Sequence, residues 1–402
     1  MNPTTPAEVD AVEPLEPVGP PGTIVSRDPA DPQDVVAGLG ADGTPAESSV
    51  LDQDIDLRSP RRRLPSMEWR RGAAILGAYV ASLVVFGIVV AIKGANPFGV
   101  YGALFHGSIV SSGSLDQVIL RAVPIVLAAL AVSVPARAGL VNVGGEGQLI
   151  IGAIAATGLG VWIGGSAPGP VSWLVMGAGA ALAGGLWAGL AGLARTKLGV
   201  NEAVTTLLMN FVANDIMLYL IYQPWKDPNG AGQPQSRVLA NHAQLPKVFG
   251  QLNLGVVIAA VLVVAVWLAL TRTGWGFALR VVGGNAQAAH RAGLRVDRLL
   301  LSSIVAGGAL AGVGGMLNLA GVELQLLPDI TLTFGYVAFL ASWLGRHQPA
   351  KVLVAALLFS ALAVGGNALQ LQYGLDGTVV DVLLGLIVMA PLAMHLLNRR
   401  AR

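Results

Sequence analysis

Of 402 residues, 54% are hydrophobic and only 12% are charged, about half the charged fraction of an ordinary soluble domain, which excludes a soluble globular protein of this size. With no cysteine in the chain, disulfides, thiolate metal sites and thiol catalysis are excluded as well. The net charge of +2 conceals a segregation, because residues 1–57 carry twelve acidic side chains, from Glu8 to Asp56, against the single basic Arg27.

That first segment is rich in Pro and Gly and poor in aromatics, so it buries too little apolar surface to offset its chain entropy. Residues 1–66 are therefore read as a disordered, acidic, Pro-rich cytoplasmic tail with a basic end, and 67–402 as a transmembrane domain. The tail lacks the basic start and short apolar core of a signal peptide. Its basic end comprises Arg58, Arg61, Arg62 and Arg63, followed by Arg70 and Arg71. By the positive-inside rule this places the N-terminus in the cytoplasm.

Ten apolar runs follow, at 72–92, 118–136, 140–163, 171–194, 200–222, 252–271, 299–321, 333–345, 350–371 and 376–397. Gly72–Ile92 and Leu252–Leu270 hold no charged residue, and each is about the ~20 residues that a helix needs to cross ~30 Å of hydrocarbon. The 52 glycines suit helices that approach closely in lipid. The eighth run is too short to cross alone and reads as half of a broken helix.

Ten spans put four groups on the N-terminal side: loop 272–298 with Arg272, Arg280, Arg291, Arg295 and Arg298, then Arg195 with Lys197, Arg346, and the terminal Arg399, Arg400 and Arg402. Loop 223–251, with Lys226, Arg237 and Lys247, falls outside as a modest exception. The expected fold is an all-α polytopic membrane protein of about ten transmembrane helices with both termini cytoplasmic. Five plus five spans would invert the second half relative to the first, as in many transporters, although no residue-level repeat accompanies it.

Three polar features interrupt the apolar runs. The first, Gly139-Leu-Val-Asn142-Val-Gly144-Gly145-Glu146-Gly147-Gln148, opens the third run with glycines that weaken a helix and a carboxyl group that is costly at membrane depth. It reads either as a broken, re-entrant entry that lines a path or braces a neighbour, or as an interfacial helix start with Asn142 as cap and Glu146 in water. In the second, Asn201 precedes Glu202, Thr206, Asn210 and Asn214, which recur every four residues and share one side of a helix. Such a stripe faces helices or water rather than lipid, and is read here as path-lining against the alternative of interhelical hydrogen bonding. The third lies in loop 272–298, where Asn285 is an N-cap, an Ala-rich helix follows and Gly293 is its stop. That helix fits either the groove of a soluble partner or a membrane interface with Arg280 and Arg291 snorkelling.

Further polar residues in or beside spans are Asn318, Glu323, Gln325, Asn367 and Gln370, while Asp376 and Asp381 read as solvated. No G-x-x-x-x-G-K-[ST], H-E-x-x-H or G-x-S-x-G pattern occurs, and His106, His242, His290, His347 and His395 are scattered. The chain thus shows no Walker-type nucleotide site, no metal site and no catalytic residue.

The three features, in this order, resemble the nucleoside and simple-sugar group of ABC importer permeases, within the wider branched-chain amino acid and ribose-like permease family. The resemblance rests on Gly139, Asn142, Gly144, Glu146, Gly147 and Gln148, on Asn201, Glu202, Thr205 or Thr206, Leu207 and Asn210, and on Arg280, Gly283, Asn285, Ala288, Ala289 and Gly293. Leu344-Gly345-Arg346 with Pro349, and Gly365-Gly366-Asn367-Ala-Leu-Gln370, also fit. Val141 and Val143 stand where the family has an aromatic and an isoleucine.

The resemblance implies a nucleoside importer subunit of the cytoplasmic (inner) membrane. Its path or broken helix would involve Asn142, Glu146, Gln148, Asn201, Glu202, Thr206, Asn210, Asn214, Asn318 and Asn367. Two separate ATPase subunits would dock on loop 272–298 through Arg280, Gly283, Asn285, Ala288, Ala289, Arg291 and Gly293. A second, related permease would complete the pore, and an extracytoplasmic substrate-binding lipoprotein would deliver the small-molecule cargo. ATP and Mg would sit on the ATPase, with no cofactor, catalysis or nucleic acid on this chain. Competing readings are a sugar or branched-chain amino acid permease, an ion-coupled secondary transporter using Glu146, Glu202 and Glu323, and a passive channel.

Overall fold

The computed structural model describes residues 65–400 apart from 164, 165, 231, 332, 376 and 377, and gives side-chain surroundings for 76–389. The acidic tail, Arg58–Arg63, Asp376 and Arg402 lie outside the described residues.

The domain is built of helices. In chain order these are α1 (Pro65–Ile92), α2 (Pro97–Phe105, continued by a π turn to Val110), α3 (Ser114–Ala136), α4 (Gly145–Ile163), α5 (Gly169–Leu198) and α6 (Glu202–Tyr222). A long connection carries a small antiparallel hairpin, β1 (Lys247–Phe249) with β2 (Leu252–Asn253). Then come α7 (Leu254–Arg272), α8 (Gly274–Gly284), α9 (Ala286–Arg291), α10 (Val296–Asn318, with a π turn to Glu323), α11 (Phe334–Leu344), α12 (Pro349–Tyr373) and α13 (Thr378–Arg400). Seven of these are long and apolar enough to cross a membrane, or eight if the bent pair α1–α2 is one span.

α3 is the centre of the packing, with 83% of its most apolar stretch buried, as befits a helix that is hydrophobic all round. It lies against α10, α12, α11 and α7. α10 in turn packs closely on α5 and α4, because each presents small residues at four-residue spacing: Ala180, Gly184 and Ala188 on α5 meet Gly308 and Gly312 on α10. The outer flanks of α5 and α7 expose Leu182, Leu186, Leu190, Val257, Val261 and Val264, side chains suited to lipid.

Three sequence expectations are corrected. The third run does not become helical at 140 but at Gly145, because 140–144 stays non-helical. α2 was not anticipated, although Asn96, whose side chain accepts from the Phe98 N–H at 3.0 Å, followed by Pro97, is a helix-start signal. It turns 114° from α1. Loop 272–298 holds two short helices rather than one: Asn285 ends α8 and caps α9 by accepting from the Ala288 N–H at 2.9 Å. α8 begins at a Thr273 cap and carries four glycines, which hid it. Gly293 has φ +84°, as its role as a helix stop requires.

Candidate functional site

The site grows from the break between α3 and α4. Pro135 has no N–H, so the carbonyl of Ala131, four residues earlier, lacks a helical partner. Asn142 Nδ2 donates to that carbonyl at 3.0 Å. Asn142 also exchanges hydrogen bonds with Gln148 at 3.1 and 3.0 Å and accepts from the Gly144 N–H at 3.0 Å. Both amides are buried, and between them they pair the Ala131 carbonyl and the Gly144 N–H, backbone groups that lipid would leave unsatisfied.

The non-helical stretch lies along the first turns of α6. An extended chain advances about 6.6 Å in two residues, and a helix about 6 Å in four. Alternate N–H groups on the one therefore match side chains at four-residue spacing on the other. The Val141 N–H donates to Glu202 Oε1 at 3.2 Å, and the Val143 N–H to Thr206 Oγ1 at 3.1 Å. One turn further, Asn210 accepts from the Gly147 N–H at 2.9 Å and donates to the Val143 carbonyl at 3.0 Å. Glu202 keeps its second oxygen for Arg195, 3.3 Å away.

At the head of α4, Glu146 reaches to α11. Its carboxyl group accepts from the Gly335 N–H at 2.6 Å and from the Thr331 hydroxyl. α11 starts inside the domain with orphan N–H groups, where an acidic group is favoured by the helix dipole. Gly335 lets the two helix starts meet, since a Cβ there would stand 2.6 Å from the Gly145 carbonyl carbon. Glu146 is only 7% exposed, so it does not stand in water.

Leading into α11, residues 324–333 are held by the long α6–α7 connection. Leu239 and Ser236 donate backbone N–H groups to Leu324 and Leu326 at 2.8 and 3.0 Å, and Asn318 Nδ2 donates to the Ile330 carbonyl at 2.8 Å. At the opposite face, α8 leans on the start of the break. A Cβ on Gly139 would lie 3.7 Å from Gly283, and one on Gly283 would come within 3.0 Å of the Arg137 carbonyl carbon. Arg137 donates to the His347 carbonyl at 3.1 Å, and His347 Nδ1 joins Ser342 and Ser133 in a chain at 2.9 and 2.8 Å. Burial, with Arg137 alongside, holds the His347 imidazole below its ordinary pKa, so it is neutral at pH 7.

Six of the ten residues singled out for the broken helix meet in one bonded assembly: Asn142, Glu146, Gln148, Glu202, Thr206 and Asn210. The others stand apart. Asn201 is exposed and caps α6, accepting from the Ala203 N–H at 2.9 Å. Asn214 is half-buried one turn beyond the ladder, Asn318 braces segment 324–333, and Asn367 is on the exposed side of α12. In the loop, Ala289 is buried, whereas Gly283, Asn285, Ala288, Arg291 and Gly293 are exposed. Arg280 donates to the Leu270 carbonyl at the end of α7 at 3.2 Å. Sequence reasoning missed Thr331, Gly335 and Pro135. Only Pro135 left a signal, as a proline inside an apolar run.

The pattern of the branched-chain amino acid transport system / permease component family matches residues 114–392. The chain belongs to this family. It is 33% identical over 342 residues to the glucose ABC transporter permease protein TsgB13 of Haloferax volcanii, covering 82% of this chain and 89% of that protein. It is 28% identical to the guanosine ABC transporter permease protein NupP of Bacillus subtilis over 78% of this chain and 90% of that one. It is 27% identical to the nucleoside ABC transporter permease protein NupB of Lactococcus lactis over 77% and 88%. No solved structure matches. This ABC permease thus groups with nucleoside and sugar permeases, as the sequence motifs implied.

Proposed function

We propose that this permease carries nucleosides inward across the cytoplasmic membrane, using ATP hydrolysed on separate subunits that dock on α8 and α9. The observation that carries the importer mechanism is the contact of Gly283 with Arg137 and Gly139, which ties the exposed loop to the non-helical entry of α4. A push on α8 is then felt by the Val141–Glu202 and Val143–Thr206 bonds and by Glu146 at the head of α11. Ten spans with both termini cytoplasmic go with this reading, the bent pair, α11 and α13 completing the seven long helices. A second, related permease is supported by the similarity of this chain to both guanosine permease proteins of Bacillus subtilis, NupP and NupQ, at 28% and 27% identity. An extracytoplasmic binding protein would present the cargo to segment 324–333 and loop 223–253. The rival ion-coupled reading gains nothing from Glu146 and Glu202, whose oxygens are engaged with backbone N–H groups and Arg195.

Deleting the gene is expected to abolish uptake of labelled guanosine and leave glucose uptake intact. The opposite result would move the cargo to sugars, the reading favoured by the 33% identity to a glucose permease. Uptake in vesicles that follows an ion gradient without ATP would end the importer reading altogether. Gly283→Trp sets a Cβ against the Arg137 carbonyl, and is expected to lower uptake at least tenfold with membrane insertion unchanged. Parental uptake in that variant would remove α8 from the coupling path.

A further inference from the structure

The elbow between α1 and α2 encloses an apolar slot that none of the described residues fills. Val80, Val84, Ile88 and Ala91 share one face of α1 and look across the 114° bend at Phe98 and Tyr101 of α2. The slot has a volume of about 390 Å³, and its walls are almost wholly carbon. Its floor is tight, since a Cβ on Gly87 would stand 3.2 Å from the Tyr101 hydroxyl and 3.6 Å from the Pro97 Cβ. The Tyr101 hydroxyl is itself committed, donating to the Leu83 carbonyl. The mouth of the slot lies at the membrane surface. α12, a span of 25 residues, ends at Tyr373, and a Cβ on Gly99 would stand 2.5 Å from the hydroxyl of that tyrosine. The end of α1, the start of α2 and the end of α12 therefore share one level, and tyrosine at a span's end marks the headgroup region. Lys93, in the turn between α1 and α2, is exposed there, and among the described residues nothing accepts from its ammonium group. Phe98, 85% exposed, leaves a ring at the slot for something apolar to cover.

We propose that the slot holds one acyl chain of an anionic phospholipid from the surrounding bilayer, whose phosphate pairs with Lys93. The rival occupant is a transmembrane helix of another subunit. Small residues are what bring membrane helices together, and the glycine of the slot, Gly87, is already covered by Tyr101 and Pro97. An acyl chain gains no hydrophobic free energy by leaving lipid for an apolar wall. Retention therefore comes from contact along the slot, and selection among lipids from the charge at its mouth. Seated there, the chain props the bend between α1 and α2. The inference draws only on the chain's residence in a membrane, so it holds whatever the cargo.

The test uses the intact transporter in two arms. In native membranes, Phe98→p-benzoylphenylalanine is photolysed and the mass of the adduct is measured. A phospholipid adduct is expected, and a cross-link to a second permease or any other protein overturns the proposal. In detergent, native mass spectrometry follows titration with phosphatidylglycerol and phosphatidylcholine of matched acyl chains. One phosphatidylglycerol is expected to be held about fivefold more tightly, the worth of one lysine beside an anionic headgroup. Lys93→Gln is expected to erase that preference while one lipid stays bound. Val84→Trp fills the slot and is expected to release the tightly held lipid whatever its headgroup, with Ile88→Trp repeating the block one turn away should the first variant fail to fold. Equal retention of the two lipids by the parent, or a preference that survives Lys93→Gln, overturns the pairing with Lys93. Lipid still held by the folded tryptophan variants lies elsewhere, and overturns the slot.

Discussion

Exchanging Glu146 for leucine is expected to reduce uptake to background. The carboxyl group is shared by two helix starts: it belongs to the first turn of α4 and receives the Gly335 N–H and the Thr331 hydroxyl from the entry to α11. Leucine fills the same space without an acceptor, and leaves both donors buried and unpaired, at about 1–3 kcal/mol each. It also removes the acidic group from the N-terminal end of α11, where the dipole favours it. Glu146→Gln keeps an acceptor for one donor and is expected to retain intermediate uptake. Labelled uptake, together with the thermal midpoint of the detergent-purified protein, checks both variants. Leucine at parental uptake would mean that the meeting of α4 and α11 plays no part in transport.

Gly312→Val is expected to abolish the folded protein rather than its activity alone. A Cβ at this position would stand 3.0 Å from the Ala180 carbonyl carbon and 3.2 Å from the Gly184 Cα. On its other side α10 touches Gly152 of α4 just as closely. Helix backbones cannot rotate away as a side chain can, so the added methyl groups must part α5 and α4 from α10. Overpacking of a tight core costs about 1–3 kcal/mol or more, and here lipid supplies no hydrophobic drive to bring the helices back together. Monodisperse yield on size exclusion should fall sharply. Gly177→Ala, on the same α5 but with nothing within 4 Å of its added Cβ, should leave yield unchanged. Equal yields for the two variants would show that the small-residue seam is not what holds the three helices.

Most of the long helices were legible because lipid imposes a simple rule. A run of about twenty apolar residues must pair its backbone within itself, so α3, α5, α7 and α12 follow from composition within a few residues. Helix ends were legible where a local side chain makes them, as with Asn285 at α9. Breaks were harder. The start of α4 is displaced from 140 to Gly145 because Glu202, Thr206 and Asn210, some sixty residues away, satisfy the backbone of 141–147 better than a further helical turn would. α2 and α8 were obscured by glycine, which reads locally as loop whatever it packs against.

Composition and spacing were enough to place the chain in a membrane, to show which polar residues interrupt its spans, and to match the order of those interruptions to that of an ABC permease. They also showed that the four-residue spacing from Glu202 to Asn214 marks one side of a helix. Read as path-lining, that side carried no sign of the segment it meets. Tertiary packing alone brings Glu202, Thr206 and Asn210 against the backbone of 141–147 and joins two helix starts through Glu146. The physical reason is that spacing along a chain fixes direction about one helix axis, whereas a hydrogen bond depends on where a second, distant segment comes to lie.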